Sequence, residues 1–269
     1  MKNTTLLYSL IISLVVLIMG CSEVSDNNSK QEFHGAGFVD PASKNFHGEL
    51  IKTRNYDIQG CKSCHGFDYN GGIAEKSCTS CHNKQGGPEN CMTCHGSVNP
   101  APPKDLSGNT SPTARGVGAH QAHLISGTLG AVVACTTCHV VPSKMTDAGH
   151  IDTTPHAEVR FDSTSIFYKA NAVYNNTTGT CANTYCHGNF KNGNAQTMTW
   201  TDTTATAVQC GTCHGDVTKT ILAEKAFPKS GHPTISAIVS TECVKCHSAV
   251  IDANMAIINP AKHINGRID

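Results

Sequence analysis

CKSCHGFDYNGGIAEKSCTSCHNKQGGPENCMTCHG, residues 61–96, repeats one pattern three times: two cysteines separated by two residues, with histidine directly behind the second. The copies are Cys61/Cys64/His65, Cys78/Cys81/His82 and Cys91/Cys94/His95, and CxxCH returns at Cys135/Cys138/His139, Cys210/Cys213/His214 and Cys243/Cys246/His247. A looser copy, CANTYCH, sets four residues between Cys181 and Cys186 before His187. Together the seven copies use all of the 15 cysteines except Cys21.

So many cysteines behind an export signal invite a disulfide reading. Histidine, however, fills only 15 of 269 positions. Independent scattering would place one behind all seven pairs with a probability on the order of one in a billion. Disulfides have no use for that histidine, and zinc ribbons do not need it after every pair. Covalent haem explains each position. Two thiols add to the porphyrin vinyl groups, the spacer spans them, and the next residue lies beneath the iron. The expected cofactors are seven haem c, with His65, His82, His95, His139, His187, His214 and His247 as proximal ligands.

Eight histidines lie outside the motifs: His34, His47, His120, His123, His150, His156, His232 and His263. Seven irons need seven distal ligands, so the supply matches bis-histidine ligation with one to spare. Methionine is the competing ligand and would raise the potential. Beyond the signal only Met92, Met145, Met198 and Met255 remain, and Met92 sits inside a CxxCH spacer. GAHQAH sets His120 and His123 three residues apart, which brings both imidazoles together on one helical turn. FHG, GHID, GHP and KHING place His47, His150, His232 and His263 in glycine-bearing turns, where backbone can approach a flat cofactor.

The composition fits this reading. Aromatics make up 6% and there is a single tryptophan, against 24 glycines and 11 prolines. Long apolar periodicity is scarce, so an ordinary side-chain core is not expected. Shared among seven haems, the exported chain offers each about 35 residues. The expected fold class is a multihaem c-type cytochrome: mostly irregular or loop, with short α-helices at the haem-binding sites, little β, and a haem-packed core. Residues 156–162 and 197–201 are the modest strand candidates. NPAPPKDLSGNTSP, residues 99–112, reads as a connector. It separates a triheme module over 33–106 from a tetraheme module over 107–269.

At the N-terminus, MKNTTLLYSLIISLVVLIMGC carries one positive charge at Lys2 and an apolar run before Gly20. Residues 1–20 read as a secretory signal, not a membrane span. Gly20 before a lone cysteine, with Ile18 behind it, resembles a bacterial lipobox. That makes Cys21 the candidate lipidation site and residues 21–32 a lipidated tether; a plain signal peptide or short anchor helix is the alternative. Lys2 is the only charged residue removed with the signal, so 19 basic residues would face 20 acidic ones where the whole chain has 20 of each. That balance carries no nucleic-acid footprint.

CANTYCHG followed by a tryptophan and CGTCHG, GVGAHQAHL, GHID with AEVRF, and the early CKSCHG, SCTSCH and CMTCHG series resemble one family over most of residues 33–269. It is the multihaem c-type cytochrome lipoproteins of dissimilatory metal-reducing bacteria, in the subgroup mixing CxxxxCH with CxxCH. The resemblance implies that CANTYCH is a true haem site. It also implies His34, His47, His120, His123, His150, His232 and His263 as distal ligands, with His156 spare. An electron carrier, not an enzyme, is expected, serving extracellular or outer-membrane respiratory electron transfer to metals or other acceptors. Other multihaem cytochromes and a porin-like outer-membrane protein are the expected partners, with the lipid anchor in the membrane. Localisation would be an exported outer-membrane lipoprotein on the periplasmic or cell-surface face. Two alternatives stand beside this: a multihaem reductase with one open iron, and a subunit of a conductive filament or porin–cytochrome conduit. No lysine replaces a motif histidine, as reductases of that kind often show.

Overall fold

The computed structural model describes residues 33–96, 98–152, 154, 156–161, 171–204 and 207–267. The signal segment, Cys21 and the 21–32 tether lie outside the described residues. The chain divides into two compact units, Met1–Asp57 and Ile58–Asp269.

The first unit is built around Phe38. His34 stacks on its ring at 4.0 Å and His47 lies 5.7 Å from it. The backbone N–H of His47 donates to Phe38 O at 2.8 Å and its Nδ1 does so at 2.9 Å. This double tie closes the loop just as helix α1 (His47–Thr53) begins.

The second unit is mostly irregular chain punctuated by short elements. Helix α2 (Lys62–His65) carries the first motif, α3 (Cys91–Cys94) the third and α5 (Ser240–His247) the seventh. Helix α4 (Leu222–Ala226) and helix α6 (Pro260–His263), which has proline in its first turn, lie outside the motifs. Proline there gives up an N–H that the helix would leave unpaired anyway. Asn90 caps α3 by accepting from Met92 N at 2.9 Å. Motif four uses a tighter turn, Cys135–Thr137, and motif two closes with His82 N on Cys78 O.

CANTYCH shows what its two extra residues do. Cys181 lies in a strand, β4 (Thr180–Ala182), and the chain then passes through Asn183 at φ 58° into the turn Tyr185–His187. The extra length is spent on extended backbone, and the histidine end keeps a compact helical turn. β4 sits between β3 (Val173–Asn175) and β5 (Met198–Thr199) in an antiparallel sheet, with Cys181 opposite both Tyr174 and Met198. A second hairpin, β1 (Asn70–Gly71) with β2 (Lys76–Ser77), joins motifs one and two.

The strand expectation over 197–201 thus meets β5, but 156–161 forms no strand. That segment pairs singly with motif four instead: Arg160 N donates to Cys138 O at 2.7 Å, and Glu158 O accepts from His139. β1 to β4 were not anticipated, because pairings of two or three Asn-, Thr- and Gly-rich residues leave no alternating pattern to read. The 99–112 connector is anchored near its start and exposed over 106–112. Ala101 is 1% exposed, and Gln121 of GAHQAH bonds to Asn99 and to Ala101 O.

Few apolar side chains are buried among the described residues: Ile58, Tyr69, Ala101, Val117, Ala119, Ala223 and Val250. Where the second unit is tightest, a polar knot joins motif one to the approach to motif three. Glu89 accepts from Tyr69 at 2.8 Å, Gln59 at 2.9 Å and Lys62 at 3.0 Å, and Tyr69 is only 4% exposed. Burial opposes the Glu89 charge, but these hydrogen bonds outweigh it and hold the carboxyl below its usual range. Glu89→Ala should therefore destabilise the haem-loaded protein by about 1–3 kcal/mol, since it leaves the buried phenol only a long 3.4 Å contact with Ile58 O. The lowered carboxyl contributes stability above the ordinary glutamate pKa and loses it as pH falls through its own. The melting-temperature gap between wild type and variant should be widest near neutrality and shrink in acid. Equal gaps at pH 7 and pH 3.5 would sink the account.

Candidate functional site

In the second unit, five motif histidines each face a histidine from outside the motifs. Ring centres are 5.9 Å apart for His95 and His150, 6.3 Å for His139 and His120, and 6.0 Å for His187 and His123. They are 6.3 Å apart both for His214 and His263 and for His247 and His232. A face-to-face stack is closer, as the 4.0 Å separation of His34 and Phe38 shows. A metal–imidazole bond is about 2 Å long and the nitrogen sits about 1 Å from its ring centre, so a metal gripped from both sides sets the centres about 6 Å apart. The donor set therefore fits a metal held axially by two imidazoles.

The rings are also aimed. Nδ1 of His139 lies 2.9 Å from Glu158 O, and Nδ1 of His214 lies 2.8 Å from Ala226 O. His65 does the same with Lys76 O at 2.8 Å. On the opposing side His120 bonds Val117 O, His123 Ala119 O, His150 Met145 O, His232 Pro233 O and His263 Leu129 O, all at 2.5–2.9 Å. A carbonyl only accepts, so Nδ1 holds the proton and Nε2 presents its lone pair. This second tie is how metal-binding histidines are usually oriented. His187 departs from it, since its Nδ1 is buried without a hydrogen-bond partner. Burial, aided by neighbouring His123, pushes the His187 imidazole down to about 4. Burial likewise lowers His95, His120 and His214, so all four are neutral and ready to ligate near pH 7.

The polypeptide itself covers the motif sulfurs unevenly. Cys64, Cys81, Cys91, Cys135, Cys210 and Cys246 are exposed, whereas Cys61, Cys78, Cys94, Cys138, Cys213 and Cys243 are half-buried. Every CxxCH copy therefore covers one thiol and presents the other; in CANTYCH both Cys181 and Cys186 are half-buried. In so sparsely packed a chain the polypeptide backs only one sulfur of each CxxCH pair. An open sulfur beside a covered one remains accessible for addition to a vinyl group. Burial pushes the Cys138, Cys181 and Cys186 thiols up to about 11, so these three are protonated near neutrality.

Glycine behind the motif lets the chain turn away at once. Gly188 has φ 95°, and a Cβ there would collide with Asn194 O; at Gly215, φ 84°, it would collide with Lys225 O. No motif cysteine is in a disulfide. Among the described residues no three His, Cys, Asp or Glu converge as a closed zinc site requires. His34 and His47 meet at Phe38 in the first unit, while His156 is exposed.

Neighbouring sites share structure. Gln121, between His120 and His123, is tied to Asn99 and Ala101 just beyond His95. His120 and His123, from one turn, face motif four and motif five respectively. Motifs five and six interlock: Asn194 N donates to Cys213 O, Gln196 N to His187 O, and Gln196 Nε2 to Thr212 O. Ala226, which orients His214 of motif six, precedes Phe227, whose ring lies 4.6 Å from that of His232 opposite motif seven. Sequence reading missed Trp200 and Arg115 at this site. A lone tryptophan in an aromatic-poor chain was the available signal for the first, and Arg115 had none.

Residues 180–214 match the protein family described as the Geobacter CxxxxCH...CXXCH motif. The matched stretch spans motifs five and six. No curated protein and no solved structure matches the chain.

Proposed function

We propose that the chain is a multihaem c-type cytochrome with mixed CxxxxCH and CxxCH motifs, a reading supported by the family match over residues 180–214, and that it carries electrons on seven haems, each iron held by histidine on both sides. Covalent haem supplies a reversible one-electron couple at each site. The observation that carries the reading is the set of five imidazole pairs with ring centres 5.9–6.3 Å apart.

The chain's own residues do three things here. Motif cysteines fix the cofactor, motif histidines ligate from one side, and His150, His120, His123, His263 and His232 close the other. His34 and His47 complete the distal set, and His156 stays outside it. With a histidine holding it from each side, an iron would have no place for nitrite, hydroxylamine or peroxide, which favours carriage over catalysis. The shared segments described above support electron passage between sites three to seven in sequence order.

Cys21 is the proposed lipid attachment, placing the protein at the outer membrane on its periplasmic or cell-surface face. There it would exchange electrons with other multihaem cytochromes, with a porin-like protein as a docking partner and metals among the terminal acceptors.

Intact-mass analysis of protein matured in a cytochrome-producing host should show seven haem masses and a lipidated N-terminus. Its ferric spectrum should be low-spin throughout. Fewer haems, or a large high-spin signal before any substitution, would overturn the reading.

A further inference from the structure

We infer that Trp200 is a shared positioning residue for sites four and five, fixing the rotation of both His120 and His123 about their ligand axes. The inference rests on the double-histidine reading of those sites.

Trp200 hangs from the strand pair that holds motif five. It follows β5 directly, its backbone N–H donates to Gly179 O at 2.8 Å, and Met198 two residues before it pairs with Cys181. From there the indole reaches the segment that supplies both opposing histidines. Nε1–H donates to Arg115 O at 2.9 Å. The Arg115 guanidinium returns the contact, donating to Asn176 O and Thr177 O in the turn between β3 and β4. The sheet and the histidine segment thus hold each other at two points.

The backbone is shaped to admit the ring. Gly118 has φ 44°, and a Cβ there would collide with the indole at Nε1. Any other residue would push the indole out. With glycine, the chain closes down until the indole lies edge-on to His120 (4.7 Å, 86°) and nearly parallel to His123 (5.7 Å, 28°). One ring therefore touches two ligands at two orientations.

Rotation is what a single hydrogen bond leaves loose. The bonds from Nδ1 to Val117 O and Ala119 O direct each Nε2 lone pair, but a ring can still rock about its Nδ1–Nε2 line. Indole contact removes that freedom. The planes come to rest 27° apart for His120 and His139 and 67° apart for His123 and His187. Site five depends on this contact the more, because His187 lacks the carbonyl tie on its own side.

Low-temperature electron paramagnetic resonance reads this angle. Near-parallel imidazole planes give a rhombic low-spin ferric signal, and near-perpendicular planes give one dominated by a single large g value. In fully haem-loaded Trp200→Leu, two of the seven low-spin contributions, one of each type, should leave their wild-type g values while the other five stay. Trp200→Phe keeps a ring without the N–H, and should move the same two signals less. A Leu variant that melts earlier but keeps a wild-type spectrum would overturn the inference, as would changes spread over all sites. Should the Leu variant fail to mature, the Phe variant decides, and an unchanged spectrum there overturns it. Wild-type protein lacking low-spin bis-histidine signals would instead sink the ligand reading beneath it.

Discussion

His263→Ala is expected to turn one haem of the set from saturated and low-spin to open and high-spin, leaving the others untouched. His263 stands on α6 with Nδ1 on Leu129 O and its ring centre 6.3 Å from that of His214. His214 keeps its own tie to Ala226 O, so the substitution removes one ligand and leaves its opposite in place. About one seventh of the ferric iron should become high-spin, and the reduced protein should bind one carbon monoxide per chain where wild type binds almost none. Added imidazole should reverse both changes. Any nitrite or hydroxylamine reduction that the variant gains and wild type lacks would show that saturation, and not the fold, withholds catalysis. His156→Ala, at an exposed ring, should change nothing. If His263→Ala stays fully low-spin, the pairing of His214 with His263 is wrong.

The second large effect concerns folding. Produced where haem attachment does not operate, the chain should show no cooperative thermal transition and should be degraded by protease far faster than the matured protein. Ordering backbone costs about 1–2 kcal/mol per residue. Against that cost, the described residues bury few large apolar side chains, chiefly Ile58, Tyr69, Val117 and Val250. Most helical elements among the described residues are turns of three to five residues, too short to persist alone. Thioether bonds and ligating histidines would tie those turns to cofactor and to distant segments, making ligation and folding one event. A haem-free chain that melts cooperatively, with protection close to that of the matured form, would refute this.

Much of this protein is decided by covalent and coordination chemistry, and that part is legible in one dimension. Cysteine spacing with histidine behind it identifies the haem motifs because the porphyrin's vinyl groups and iron set the distances locally. The surplus of histidine, the scarcity of methionine and the poverty of aromatics pointed to imidazole on both sides of the proposed iron and to a chain of short turns. Which sulfur of a pair the polypeptide covers was not legible: Cys61 is half-buried and Cys64 exposed, while Cys91 is exposed and Cys94 half-buried. Nor was it legible which histidine faces which motif. His263 lies 49 positions beyond His214, while His120 precedes His139 by 19; no spacing rule links them, because the partner is chosen by how loops close in space. The same holds for Trp200, a tryptophan whose contacts with His120 and His123 exist only because β5 pairs with β4 and Gly118 clears room for the indole. What each site is made of follows from the order of residues alone, since bonding is local. Tertiary structure alone decided who stands opposite whom and at what angle, since those depend on contacts between residues far apart along the chain.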